Sequence, residues 1–127
     1  MRLLLDTHVM LWWLRDNPKL GSRSRAAISD RATMPEVSVA SFWELSIKAR
    51  KQGFGEIGSS LIDEATEAGI RVLEVRRSHL LALEKLERVR GHNDPFDHLI
   101  LAQAIAEGVP LMTADREMKQ YQVPMFR

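Results

Sequence analysis

No cysteine occurs in the chain. Disulfides, thiolate zinc sites and cysteine nucleophiles are excluded together, and the composition suits a reducing cytoplasm. Net charge is nearly absent too: 18 Lys and Arg face 17 Asp and Glu, leaving +1. Such a balance argues against the crude binding mode in which a strongly basic protein coats phosphates. A local basic patch, or metal ions that let carboxylates meet phosphates, stays open. Long apolar runs are missing as well. The apolar N-terminus is interrupted at Asp6 and His8, so neither half reaches the length of a signal-peptide core. No run approaches the ~20 apolar residues of a membrane helix. A soluble, cytoplasmic protein with no membrane contact is expected. Repeats, low-complexity tracts and Pro/Ser-rich linkers are also lacking.

What is present suits a single domain over residues 1–127. The 127 residues are 45% hydrophobic, which rules out wholesale disorder. A chain of this size buries roughly two-thirds of its unfolded surface.

Short apolar runs alternate with longer periodic ones. Arg2-Leu3-Leu4-Leu5 ends at Asp6 and reads as a buried strand. Helices are expected over 7–15, stopped near Asn17-Pro18, and over 23–30. Pro35-Glu36-Val37-Ser38-Val39 reads as a second strand. A helix follows over 41–52 with Gly53 as its stop, then another over 59–68 closed by Gly69. The alternating, β-branched run 70–75 reads as a third strand. Leu80, Leu83 and Leu86 mark a helix over 78–88, before a polar loop at 90–93. A buried, alanine-rich helix is expected over 95–107, ended by Gly108. A fourth strand at 109–113, a short helix at 115–121 and a short edge strand at 123–126 complete the chain. Strands alternating with helices imply an α/β fold: three layers, α/β/α, around a mainly parallel sheet of four to five strands.

Ligands gather beyond the carboxyl ends of strands in such folds. Asp6 follows the first strand, and Asp115 follows the fourth after Thr113-Ala114. Glu44 and Asp97 are expected in the first turns of their helices. All four would meet at one edge of the sheet. Clustered carboxylates repel one another in a partly dry cleft, and hard divalent cations such as Mg²⁺ or Mn²⁺ relieve that repulsion. A simpler role exists for each acid alone. Ser41-Phe42-Trp43-Glu44 reads as a capping box, and Asp94-Pro95-Phe96-Asp97 as a helix start. Asp6 and Asp115 could be plain caps. The conjunction of four acids at one edge favours a site, and a cap can also be a metal ligand.

These residues resemble a known family. Leu3-Leu4-Leu5-Asp6-Thr7-His8, the helix start around Glu44, His92-Asn93-Asp94-Pro95-Phe96-Asp97 and Leu111-Met112-Thr113-Ala114-Asp115 look like the PIN domain. More narrowly, the chain is similar to the VapC-type toxins of bacterial toxin–antitoxin pairs. The resemblance spans the chain, and Asp-Pro-Phe-Asp followed by its Leu/Ile/Ala-Gln-Ala helix is its most specific part. It implies a Mg²⁺- or Mn²⁺-dependent ribonuclease whose acidic quartet falls on Asp6, Glu44, Asp97 and Asp115. Asp6, Asp97 and Asp115 would hold metal, and Glu44 would complete the site. Asp94 would be a nearby fifth acid, and Thr7 and Thr113 would orient a carboxylate or water. The position after Asp97 is often arginine in similar sequences and is His98 here. The resemblance also implies a homodimer and a VapB-type antitoxin partner.

Lys48, Arg50, Lys51 and His98 are candidate RNA contacts. The basic helix end also has a simple role in complementing the helix dipole, and a capping role suits His98. Arg76, Arg77, Arg88 and Arg90 are weaker candidates of the same kind. Trp12 and Trp13 are adjacent on a helix and point ~100° apart, so they do not easily share one core face. With Trp43 they are candidates for a groove that receives an antitoxin segment. Two other classes share parts of this pattern. A receiver-like signalling domain needs paired acids after its first strand and a late lysine, and neither is here. A PIN-fold protein that only binds a partner would not need the intact quartet.

Overall fold

The computed structural model describes residues 1–53, 55 and 58–127. Four parallel strands form one sheet in the order β3-β2-β1-β4. They are β1 (Arg2–Leu5), β2 (Met34–Ser38), β3 (Arg71–Leu73) and β4 (Leu111–Met112). The helices are α1 (Thr7–Leu14), α2 (Ser22–Ser29), α3 (Val39–Gln52), α4 (Gly58–Glu67), α5 (Arg77–Lys85) and α6 (Pro95–Glu107). Among the described residues, no helix is long and apolar enough to cross a membrane.

β1 is central and covered on both faces. Its side chains alternate, so Leu3 and Leu5 enter one core and Leu4 the other. The first core takes Val9 and Met10 of α1, Ile28 of α2, Phe42 of α3 and Leu61 and Ala65 of α4. The second takes Ile100, Leu101 and Ala104 of α6, with Met118 and Tyr121 from the C-terminal segment. These are the three layers expected. Inside the second layer, Arg2 pairs with Glu36 and Glu107, and the buried His79 ring bonds Glu107.

Several elements differ from expectation. α3 starts two residues early, because Ser38 rather than Ser41 caps it, accepting from the Ala40 N–H. Ser41 is buried inside the helix. The third strand keeps three residues and the fourth only two, since each lasts only as long as its neighbour pairs with it. α5 ends at Lys85, and the expected terminal helix is a 3-10 turn, Met118–Gln120. The expected edge strand is a single parallel bridge, Leu111 to Met125.

α3 and α4 meet at Gly58. A Cβ there would fall 2.2 Å from the Phe42 carbonyl oxygen and 2.4 Å from Ser46 Oγ. Gly58→Ala is therefore expected to destabilise the fold by about 1–3 kcal/mol through overpacking. Gly21→Ala meets nothing within 4 Å and should cost only the weaker N-cap of α2, about 1 kcal/mol or less. Urea denaturation of the two variants checks this contrast.

Candidate active site

The chain runs from β1 outward to β3, then returns to place β4 on the other side of β1. This reversal is the point where parallel α/β sheets receive ligands. Asp6 leaves β1 and Thr113 leaves β4 at that point. Asp6 is buried, 5% exposed, and has two tasks. Oδ1 caps α1 by accepting from the Val9 N–H at 2.8 Å, and Oδ2 accepts from the Thr113 hydroxyl. Thr113 Oγ1 in turn accepts from the Asp115 N–H at 3.0 Å. One hydroxyl thus ties the two strand ends together.

Glu44 arrives from α3 and is 7% exposed. It is the sixth residue of that helix, in its second turn, and so caps nothing. The capping-box role expected for it is absent, because Ser38 starts the helix. Its Oε1 accepts from the Thr7 hydroxyl at 3.1 Å, and that hydroxyl lies 2.8 Å from Ser41 Oγ. Its Oε2 lies 3.2 Å from Lys48 Nζ. Asp97 arrives from the first turn of α6, where Asp94 is the cap and Pro95 the first residue. Asp94 Oδ1 accepts from the Phe96 and Asp97 N–H groups. Asp115 is exposed, and its Oδ1 accepts from the Glu117 N–H.

Asp6, Glu44, Asp94, Asp97 and Asp115 line one cleft of about 90 Å³ with Thr7, His8, Lys48 and Met118. A larger hollow of about 740 Å³, lined mainly by α5, α6 and the C-terminal segment, contains none of these acids. Burial pushes the pKa of Asp6 above its ordinary value, against the hydrogen bonds from Thr113 and Val9. Burial also raises that of Asp97, helped by the nearby charges of Asp94 and Asp115 and opposed by the bond from His92.

Among the described residues, no three acids or histidines already stand as a ligand set around one point. The donor chemistry nevertheless fits a hard dication. Mg²⁺ takes one or two carboxylates and keeps several waters, and this cleft offers several carboxylates with excess negative charge.

The basic and aromatic candidates separate. Lys48 is at the cleft, whereas Arg50 and Lys51 are exposed in the last turn of α3. His98 is buried and donates through Nε2 to the His92 carbonyl at 2.9 Å, so it does not face a substrate. Trp12 and Trp13 both lie half-buried against the first core. Trp43 is 62% exposed and packs edge-on to Phe96. Sequence reasoning missed His92 and Tyr121, which back Asp97. The only signal was His92 standing five residues before Asp97.

Fold and site together define a small α/β domain with a carboxylate-lined cleft at the switch point of its sheet. The chain belongs to the PIN domain family, whose pattern matches residues 3–124. It is 27% identical over 123 residues to Ribonuclease VapC22 of Mycobacterium tuberculosis, covering 96% of this chain and 93% of that protein. It superposes on the crystal structure of VapBC2 from Rickettsia felis bound to a promoter DNA fragment with a TM-score of 0.73. That match has 17% identity and covers 100% of this chain and 98% of the other. FitAcB from Neisseria gonorrhoeae gives a TM-score of 0.65 at 20% identity, covering 98% and 96%.

The raised pKa of Asp6 sets the sign of a stability test. Without metal, the folded state prefers the protonated carboxyl. Its ionised form costs stability above the raised pKa, and that cost fades as pH falls through it. Asp6→Asn should therefore melt above the wild type in EDTA near neutral pH. The gap should close on acidification. Added Mg²⁺ should raise the wild-type midpoint but not the variant's.

Proposed function

We propose that this chain is a metal-dependent endoribonuclease and the toxin of a toxin–antitoxin pair. The observation that carries the reading is the convergence of Asp6, Glu44, Asp97 and Asp115 on one cleft at the sheet's switch point. The likeness to a protein named Ribonuclease VapC22 over nearly the whole chain supports the same reading. So do structural neighbours described as VapBC pairs and as a toxin–antitoxin complex.

In this reading Asp6, Asp97 and Asp115 hold Mg²⁺ or Mn²⁺, and Glu44 completes the site. When bound, such an ion supplies an activated water and offsets the charge of the scissile phosphodiester. The protein's own part is orientation. Thr113 fixes the Asp6 carboxylate relative to Asp115, Thr7 fixes Glu44, and Asp94 fixes the first turn under Asp97. Lys48 balances Glu44 and presents a cation at the rim for a phosphate. Arg50 and Lys51 extend that basic side to phosphates further along the RNA. The whole machinery fits one domain, residues 1–127, acting in the cytoplasm. The partners in this reading are a VapB-type antitoxin and a second copy of the chain. Trp43, with Trp12 and Trp13, offers aromatic surface to the antitoxin segment.

Asp97→Asn and Asp115→Asn should each lower Mn²⁺-dependent RNA cleavage by roughly a hundredfold or more, with melting curves that remain cooperative. EDTA should abolish wild-type cleavage. Expression of the chain alone should arrest growth, and Asp97→Asn should relieve the arrest. Full cleavage by both variants would overturn the assignment.

A further inference from the structure

His92 has both ring nitrogens engaged and is 4% exposed. Nε2 lies 2.9 Å from Asp97 Oδ2, and Nδ1 lies 2.7 Å from the Tyr121 hydroxyl. That hydroxyl also accepts from the Val89 N–H at 3.1 Å. The proton order follows from what each group can do. A carboxylate only accepts, so His92 presents its ring proton from Nε2 to Asp97 Oδ2. In that tautomer Nδ1 is the acceptor, and the Tyr121 hydroxyl donates to it while accepting from the Val89 N–H. Tyr121, 29 residues away in sequence, thereby supports the tautomer that faces Asp97. The rings pack edge-on, His92 to His98 at 4.9 Å and His92 to Tyr121 at 5.4 Å. His98 holds the main chain of His92 in place through its carbonyl.

This buried chain ends on one oxygen of one acid. A short aspartate side chain otherwise samples several rotamers. Here the Oδ2 atom is held by His92, which leaves Oδ1 free of hydrogen-bond partners from the described residues. We propose that Tyr121 and His92 form a positioning relay that pre-orients Asp97 as a cation ligand. His92 touches no substrate, because neither nitrogen is free and the ring is out of solvent. The proposal rests on the reading of Asp97 as a metal ligand. Partners of this kind, one shell out from the ligands, are commonly worth about tenfold to a hundredfold in metal affinity.

The test is Mn²⁺ affinity of the purified whole chain without RNA, measured by electron paramagnetic resonance, beside cleavage kinetics. His92→Leu should weaken Mn²⁺ binding by about tenfold to a hundredfold. His92→Gln keeps an N–H donor near Nε2 and should restore it. Tyr121→Phe keeps the ring, drops the hydroxyl and should weaken binding severalfold, lowering kcat with KM for RNA unchanged. Should His92→Leu fail to fold, Tyr121→Phe and His92→Gln carry the comparison. Asp97→Asn is the reference. If it loses Mn²⁺ while folded His92→Leu or Tyr121→Phe binds like the wild type, the relay is overturned and the site reading stands. Equal loss in His92→Gln and His92→Leu overturns it as well. If Asp97→Asn itself binds normally, the ligand assignment fails and the relay falls with it.

Discussion

Carboxylates gathered at one small cleft, two of them buried, are the constraint around which this molecule is arranged. Five carboxylates share one small cleft, and Asp6 is almost wholly buried. Two unit charges ~4 Å apart interact by about 4 kcal/mol at the effective dielectric near a protein surface. A domain's entire net stability is only about 5–15 kcal/mol. A cluster of this kind therefore persists only because the surrounding fold over-determines it. The hydrogen bonds to Asp6 and Asp97 work against the burial that raises their pKa values. A divalent cation would turn the same cluster from a cost into a binding site.

The compensation is built from ordinary parts. Asp6 and Asp94 cap helices, so three acids lie where helix dipoles favour negative charge: Asp6, Asp94 and Asp97. Two threonine hydroxyls each reach a carboxylate that came from a different element. Lys48 sits one turn along from Glu44 and supplies the cation within the cleft. Near-neutral net charge across the chain thus conceals a strong local imbalance.

Legibility followed how local each decision was. α6 was read to the residue, because Asp94, Pro95 and Gly108 are start and stop signals that act within one turn. Asp6 was legible because a polar residue directly after an all-leucine strand has few places to go. Glu44 does line the cleft, but the local ground on which it stood out, a capping box, is absent. Ser38 and Ser41 can both cap a helix, and the sheet pairing of β2 decides between them. Its burial in the second turn, with no capping task, strengthens the case for a chemical role. The histidines show the opposite limit. His92 stands five residues before Asp97 and His98 directly after it, and of the two only His98 stood out as a candidate RNA contact, beside its capping role. Which ring turns inward to the acid depends on Tyr121, a residue on a separate segment.

Sequence alone determined the α/β alternation and the placing of four acids at strand ends and on helices beside them. Those properties depend on residue type, short-range periodicity and turn signals. Only the tertiary structure decided the 3-2-1-4 strand order, the joining of Asp6 to Asp115 through Thr113, and the support of Asp97 by His92 and Tyr121. Those depend on which side chains meet after both cores close, between residues as far as 107 positions apart. Hydrogen-bond geometry over such separations is set by packing.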